Sequence, residues 1–215
     1  AVFPAFAASP FAWRTAPFWP EPMRARNGIV GAAQLDDYGR AHAVRAVLTG
    51  FEPGIEDALD HWAEAQGMVP LMYGESDAVI WIDRPLIARR LADTLAGPLP
   101  LQGNFGPSLR DTLAPAQKAL WLQAALEVRI PKPKPQHEWL LVVEVRRGDE
   151  QVHWQARRLL PFYMKAGQWQ RLWLACRVEG PFQGGEVVKA YLWRPQGGAP
   201  AELRHFTLET AWAEW

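Results

Sequence analysis

The chain has 215 residues, 49% of them apolar, and its 23 Lys and Arg are balanced by 23 Asp and Glu. That is enough apolar material for one substantial core, which argues against disorder of the whole chain. A formal net charge of +0 gives no field to draw nucleic acid, and Cys176, the single cysteine, excludes an intrachain disulfide and a multi-cysteine metal site.

Residues 1–50 read as an extended arm and linker. From Pro4 to Pro22 prolines alternate with Phe6, Phe11, Trp13, Phe18 and Trp19, which disfavours helix and ladder pairing alike. An arm this apolar should lie on something. Its opening is uncharged through Ala12 but far shorter than the roughly 20 residues that span a bilayer. Ala5-Phe6-Ala7 fits a small-x-small signal-peptidase site. The same letters would suit the end of a preceding transmembrane helix, or a proline-broken arm packed on its own domain or a partner. Leu35 to Leu48 could be a short helix ended by Gly50.

The compact domain is expected to run over 51–215. Ile55, Leu59, Trp62 and Ala63 fall at helical spacing between Pro53 and Gln66. Val79 to Ile82 is a short strand candidate stopped by Pro85. "LIARRLADTLAG" has helical composition and a stop at Gly97, and "PLPLQGNFGPSL" predicts a loop. The second half changes character. From Leu120 to Ile130 apolar residues take every second position, while Gln123, Glu127 and Arg129 take the other face, which predicts a long half-buried strand. "PKPKPQH" must connect, because alternate residues lack an N–H. "EWLLVVEVRR", the turn "GDE" and "QVHWQARRL" predict a hairpin. "WQRLWLACRV" alternates again, and "EVVKAYLW" and "LRHFTLE" flank the turn-rich "RPQGGAPAE". Successive strands without intervening helices argue for antiparallel sheets packed as a sandwich.

This layout resembles the jelly-roll modules of the galactose-binding-like type, a group that includes many carbohydrate-binding modules. The resemblance rests on Phe51-Glu52 with Trp62 shortly after, the long strand "KALWLQAALEV", the pair "EWLLVVEVRRGDEQVHW", the Trp-led "GQWQRLWLACRV", and the close "VVKAYLWRPQGGAPAELRHFTLE". It implies a mainly β fold, an antiparallel jelly-roll sandwich with one to three short helices and the extended N-terminal arm. It also implies an accessory or binding role without identifying a ligand. The Tyr-x-Trp element of such modules stands as Tyr191-Leu192-Trp193, but Arg204 and His205 occupy the positions where acidic residues are usual. A calcium site or carboxylate contact inherited from the pattern is therefore not expected.

Candidate chemistry is thin. Asp57, His61 and Glu64 would share one helix face, but a metal centre needs ligands from a second element, and a solvated helix face is the better reading. Asp36, Asp37 and His42 read as solvated too. Ser9, Ser76 and Ser108 lack a glycine-flanked nucleophile elbow, and alternation puts Cys176 in the core. There is no GxGxxG, GxxxxGKS/T or HExxH. No catalytic residue, metal site or cofactor is therefore expected. Two glycosidase carboxylates would leave no mark in sequence spacing, so a glycoside hydrolase stays as a distant alternative.

The remaining signal is aromatic. Of 12 tryptophans, alternation places Trp121 and Trp173 on the polar faces of their strands beside Gln123 and Arg171, and Tyr191 and Trp193 on the face of Lys189. Such rings are covered by the protein itself, dock a protein partner, or stack on sugar rings. The expected binding residues are Trp121, Arg171, Trp173, Tyr191 and Trp193. The leading expectation is a non-catalytic extracytoplasmic interaction module: an accessory subunit, or the soluble domain of a membrane-anchored cell-envelope protein. It would have a protein partner or membrane-anchored assembly. The alternative is a carbohydrate-binding module with a glycan as ligand.

Overall fold

The computed structural model describes residues 46–49, 63–72, 79–83, 85–101, 103–132, 139–159, 166–195 and 200–214. The N-terminal arm up to residue 45, the expected domain start near Phe51, and Asp57, His61 and Trp62 lie outside the described residues. The chain divides into two compact units, one containing the segment that ends at Pro85 and the other running from Leu86 to Trp215.

The first unit holds a three-stranded antiparallel sheet, order β1-β3-β2, of β1 (Ala46–Thr49), β2 (Val69–Met72) and β3 (Val79–Ile82). β1 corrects the expected helix over Leu35 to Leu48 at its C-terminal end. Ala46–Thr49 carries β-branched Val47 and Thr49, and its backbone groups pair with Val79–Ile82. A helical turn at 63–65 is closed by Gly67, whose φ of 72° is left-handed. The Gly67 N–H donates to the Glu64 carbonyl and the Met68 N–H to that of Ala63, which is the Schellman termination. β3 falls where the sequence puts it, with Val79 and Trp81 buried.

The second unit is an antiparallel β-sandwich. Its strands are β4 (Leu86–Leu95), β5 (Leu99–Leu101), β6 (Phe105–Thr112), β7 (Ala119–Arg129), β8 (Trp139–Arg147), β9 (Glu150–Leu159), β10 (Trp169–Val178), β11 (Val187–Trp193) and β12 (Ala201–Ala213). One sheet has the order β10-β7-β12-β4, with β5 also pairing β12; the other has the order β6-β11-β8-β9. The core lies between them. Leu120, Leu122, Ala124, Leu126 and Val128 of β7 face Leu141, Val143 and Val145 of β8 and Val188, Ala190 and Leu192 of β11, all buried. The period-two alternation read from the sequence is this inner row. Cys176 lies in it, and burial pushes its thiol pKa far up, so it packs as a small apolar residue.

Two sequence expectations fail in this unit. "LIARRLADTLAG" is β4, not a helix. It pairs with β12 through two register shifts, and Ala88 sits at a left-handed φ of 52°. Those irregularities break the period-two signal and leave a helix-like composition that tertiary pairing overrides. "PLPLQGNFGPSL" is not all loop: it supplies β5 and the start of β6. Pro100 and Pro107 are tolerated because β5 pairs only with β12, and β6 only with β11, so each strand has an edge that needs no donor.

β12 is the longest strand and it changes partner midway. Ala201–Leu203 pairs β5, and Phe206–Ala213 pairs β4. Between them the register against β7 shifts from Arg204 to Thr207, His205 adopts a φ of 51°, and the His205 N–H donates to the Ala96 carbonyl. The bulge lets Leu203 and Phe206, three residues apart, both point inward and be fully buried. A left-handed φ is more accessible to His than to β-branched residues. In urea denaturation His205→Val should therefore lose about 1–2 kcal/mol, and His205→Gly should stay within about 1 kcal/mol of the wild type; a Val variant as stable as the Gly variant would contradict the strain.

Before β11 the chain is tied down by a buried carboxylate. Glu186 is 1% exposed. It accepts from the Gln183 and Gly184 N–H groups at 2.9 and 2.8 Å and from Arg147 Nε at 3.0 Å. Burial alone would raise its pKa, but these bonds together outweigh burial and hold it below the ordinary glutamate value. A depressed folded pKa stabilises the native state above the unfolded-state pKa and loses that contribution as pH falls through the folded value. Stability should therefore fall as pH drops below the ordinary glutamate range, and Glu186→Gln should remove this part of the acid dependence. The same variant should cost about 2–4 kcal/mol at neutral pH by leaving Arg147 without its counter-charge, as read in urea titrations at both pH values.

Candidate functional site

The five expected binding residues do not form one site. Trp121, Arg171 and Trp173 lie on the outer face of the five-stranded sheet, and Tyr191 and Trp193 on the outer face of the other sheet. On the first face the rings are engaged by guanidinium groups. Trp121 is fully buried with Arg89 5.2 Å over its ring. Trp173 is half-buried under Arg157 at 5.0 Å, and Arg157 Nη1 also donates to the Trp173 carbonyl at 2.9 Å. Trp169 is approached by Arg129 at 5.0 Å and Arg204 at 4.2 Å. The same arginines are neutralised locally: Arg129 pairs with Glu202, Arg204 with Glu127 and Arg89 with Glu209. Each such cation–π contact is worth about 0.5–1 kcal/mol at an exposed position, and a ligand stacking there would have to displace it. Arg171 is exposed beside Glu127 in the register.

The outer face of the four-stranded sheet is built differently. Register sets three parallel rows across β6, β11, β8 and β9. The first is Arg110, Lys189, Glu144 and Trp154; the second Ser108, Tyr191, Val142 and Ala156; the third Phe105, Trp193, Leu140 and Arg158. Leu140, Val142 and Ala156 form a buried apolar floor against which Trp154, Tyr191 and Trp193 pack half-buried. Phe105 stands beside them, 63% exposed. Its ring is parallel to Trp193 within 5° at 6.2 Å and tilted 58° to Tyr191 at 6.0 Å. Both are favourable aromatic geometries, so the rings brace one another while Phe105 keeps most of its surface in solvent.

Phe105 is positioned from the core side. Arg194, buried just past β11, stacks over Trp139 at 5.1 Å, donates through Nη2 to the Gly103 carbonyl at 2.5 Å, and donates its backbone N–H to the Asn104 carbonyl at 2.7 Å. The two residues before Phe105 are thus held from below.

Sequence reasoning missed Phe105 and Trp154. Phe105 lies in the stretch expected to be loop. Trp154 is displaced by a bulge: counting back from the Gly148-Asp149 turn would set His153 opposite Glu144, but a register shift between Val145 and Arg146 sets Trp154 there instead. The alternating residues of "QVHWQARRL" carry no sign of that shift.

Lys189 Nζ lies 3.5 Å from Glu144 Oε1 between Tyr191 and Trp154. Burial, reinforced by the Glu144 charge, raises the Tyr191 pKa, while the Trp154 hydrogen bond and Arg146 act the other way. In spectrophotometric titration, with Tyr191→Phe as the blank, Tyr191 should ionise above the usual value of about 10. Glu144→Gln should bring it down and Arg146→Gln should take it up; no response to Glu144→Gln would remove the coupling.

Among the described residues no three His, Cys, Asp or Glu side chains are grouped to hold a metal ion. Glu64 is exposed on its helical turn, and Ser108 is exposed on β6. Nor, among the described residues, is any helix long and apolar enough to cross a membrane.

No protein-family model and no curated protein matches the sequence. Among solved structures the chain is similar to a CBM4 carbohydrate-binding module, with 14% identity over 67% of this chain and 78% of that one and a TM-score of 0.31. It is similar to the CBM22-1 xylan-binding domain of Paenibacillus barcinonensis Xyn10C, with 15% identity over 49% and 64% of the two chains and a TM-score of 0.30. It is also similar to infectious bursal disease virus VP2, with 11% identity over 59% of this chain and a TM-score of 0.42. The chain spans about a third of the length of that viral protein and just under two thirds of the xylan-binding domain. The fold itself is the antiparallel two-sheet sandwich expected from the galactose-binding-like layout, as strand order and register show.

Proposed function

We propose that this protein is a non-catalytic binding module that holds a glycan chain on the outer face of its four-stranded sheet. The observation that carries the reading is the braced aromatic group of Phe105, Trp193 and Tyr191, with Phe105 63% exposed and its ring parallel to Trp193. Flat rings stack on the apolar C–H faces of sugars, and the neighbouring Ser108, Lys189, Glu144 and Arg110 offer donors and acceptors for hydroxyls.

The strip of apolar side chains is two rows wide, bordered by Arg110, Lys189 and Glu144 along one side and ending in Ser108 on β6 and Arg158 on β9. A protein-binding surface concentrates aromatics in a wider centre depleted of charge, so a narrow ligand fits this face better than a broad one. The opposite face supports the choice, because guanidinium groups already cover its rings. An extracytoplasmic setting, where polysaccharides are displayed, agrees with this reading, and a signal peptide encoded upstream of Ala1 would support it.

Affinity electrophoresis on a panel of soluble polysaccharides tests it. At least one should retard the protein, Phe105→Ala and Trp193→Ala should each weaken that retardation about tenfold, and Trp173→Ala on the other sheet should leave it unchanged. A panel without any retarding polysaccharide would sink the reading.

A further inference from the structure

Resting on the glycan reading, we infer that the ligand is an acidic glycan several units long, with uronate-type carboxylates engaged by Arg110, Lys189 and Arg146. The chain as a whole is neutral, but its charges are distributed unevenly. The five-stranded sheet balances its arginines against glutamates in close pairs: Arg204 Nε lies 2.6 Å from Glu127 and Arg89 Nε 2.7 Å from Glu209. On the ring-bearing sheet the arrangement differs. Beyond Tyr191 and Trp193, one row across the strands holds Arg110, Lys189 and Glu144 with Trp154 at its end, and the next sets Arg146 opposite Val187. Across these two rows three cations, Arg110, Lys189 and Arg146, meet the single carboxylate of Glu144, while Arg158 is a further cation in the Trp193 row and the Asp93 carboxylate accepts the Arg110 backbone N–H.

Their state matters as much as their number. Glu144 meets Lys189 at 3.5 Å, longer than the pairs of the other sheet. Arg110 is exposed and has no ion pair among the described residues. Arg146 donates through Nη2 to the Asp149 carbonyl at 2.6 Å, an uncharged acceptor that orients the guanidinium without neutralising it. A fixed, incompletely compensated set of donors is what carboxylate recognition requires.

Spacing sets the ligand's size. Trp193, Tyr191 and Lys189 alternate along one face of β11, and four residues of strand cover about 14 Å. A ligand that stacks on Phe105 and Trp193 and also reaches Lys189 and Arg110 must span several sugar units. The order of groups along β11 gives its polarity: the stacking segment lies at the Trp193 end and the carboxylates at the Lys189 end.

The test uses polygalacturonate and its fully methyl-esterified form, which share a backbone and differ in charge. The wild-type protein should bind the acid form about tenfold tighter at low salt. That preference should disappear in half-molar sodium chloride and in the double variant Arg110→Gln/Lys189→Gln, while Trp193→Ala weakens both forms. Equal affinity for the two forms, or retardation by neutral polysaccharides alone, would overturn the inference and leave the glycan reading standing. Polyaspartate bound as tightly as polygalacturonate, with no response to Trp193→Ala, would overturn it as mere charge attraction. Failure of every polysaccharide, charged or neutral, would remove the glycan reading itself.

Discussion

The bulge at Arg204–Thr207 is the constraint on which the sandwich depends. β12 must serve β5 with one stretch and β4 with another while pairing β7 along its whole length. A strand of uninterrupted alternation could not do so with Leu203, Phe206 and Leu208 all inward, because moving the pairing by one residue sends every later side chain to the opposite face. His205 absorbs that residue in a left-handed conformation and remains exposed. The two letters that depart from the acidic closing strand of galactose-binding-like modules therefore have structural work in this chain: His205 turns the strand, and Arg204 bonds Glu127 and covers Trp169.

What could be read from the sequence follows from where alternation survives. β7 pairs with β10, and β11 with β8, without a register shift, and these strands keep their own alternation, so their inward and outward residues can be assigned from letters alone, Tyr191 and Trp193 included. β4, β6 and β9 each carry a register shift or a proline, so their letters read as helix or loop, or give no sign of which residues face outward. Phe105 and Trp154 were hidden for this reason: the candidate face is assembled across four strands, two of which do not announce their register. The sequence also could not separate Trp121 and Trp173 from Tyr191 and Trp193, since strand order decides which sheet a ring joins.

The two outer faces divide the aromatic content between different chemistries. On the five-stranded sheet, guanidinium over indole and carboxylate beside guanidinium satisfy one another and leave little unmet demand. On the four-stranded sheet, rings meet rings, and the compensation of charge is incomplete. The difference lies in the neighbours that register supplies, because tryptophan and arginine occur on both. Arg194 fits the same scheme, fixing from the interior the residues that present Phe105.

The single thiol has a practical consequence. Cys176 is 1% exposed and burial disfavours its thiolate, while ordinary labelling reagents attack an accessible thiolate. The folded chain is therefore silent toward maleimides at its native cysteine. A cysteine introduced at exposed Ser108, beside Tyr191, would be the one reactive position in the molecule. A fluorophore there would give an optical signal of occupancy at the aromatic face with no background from the core.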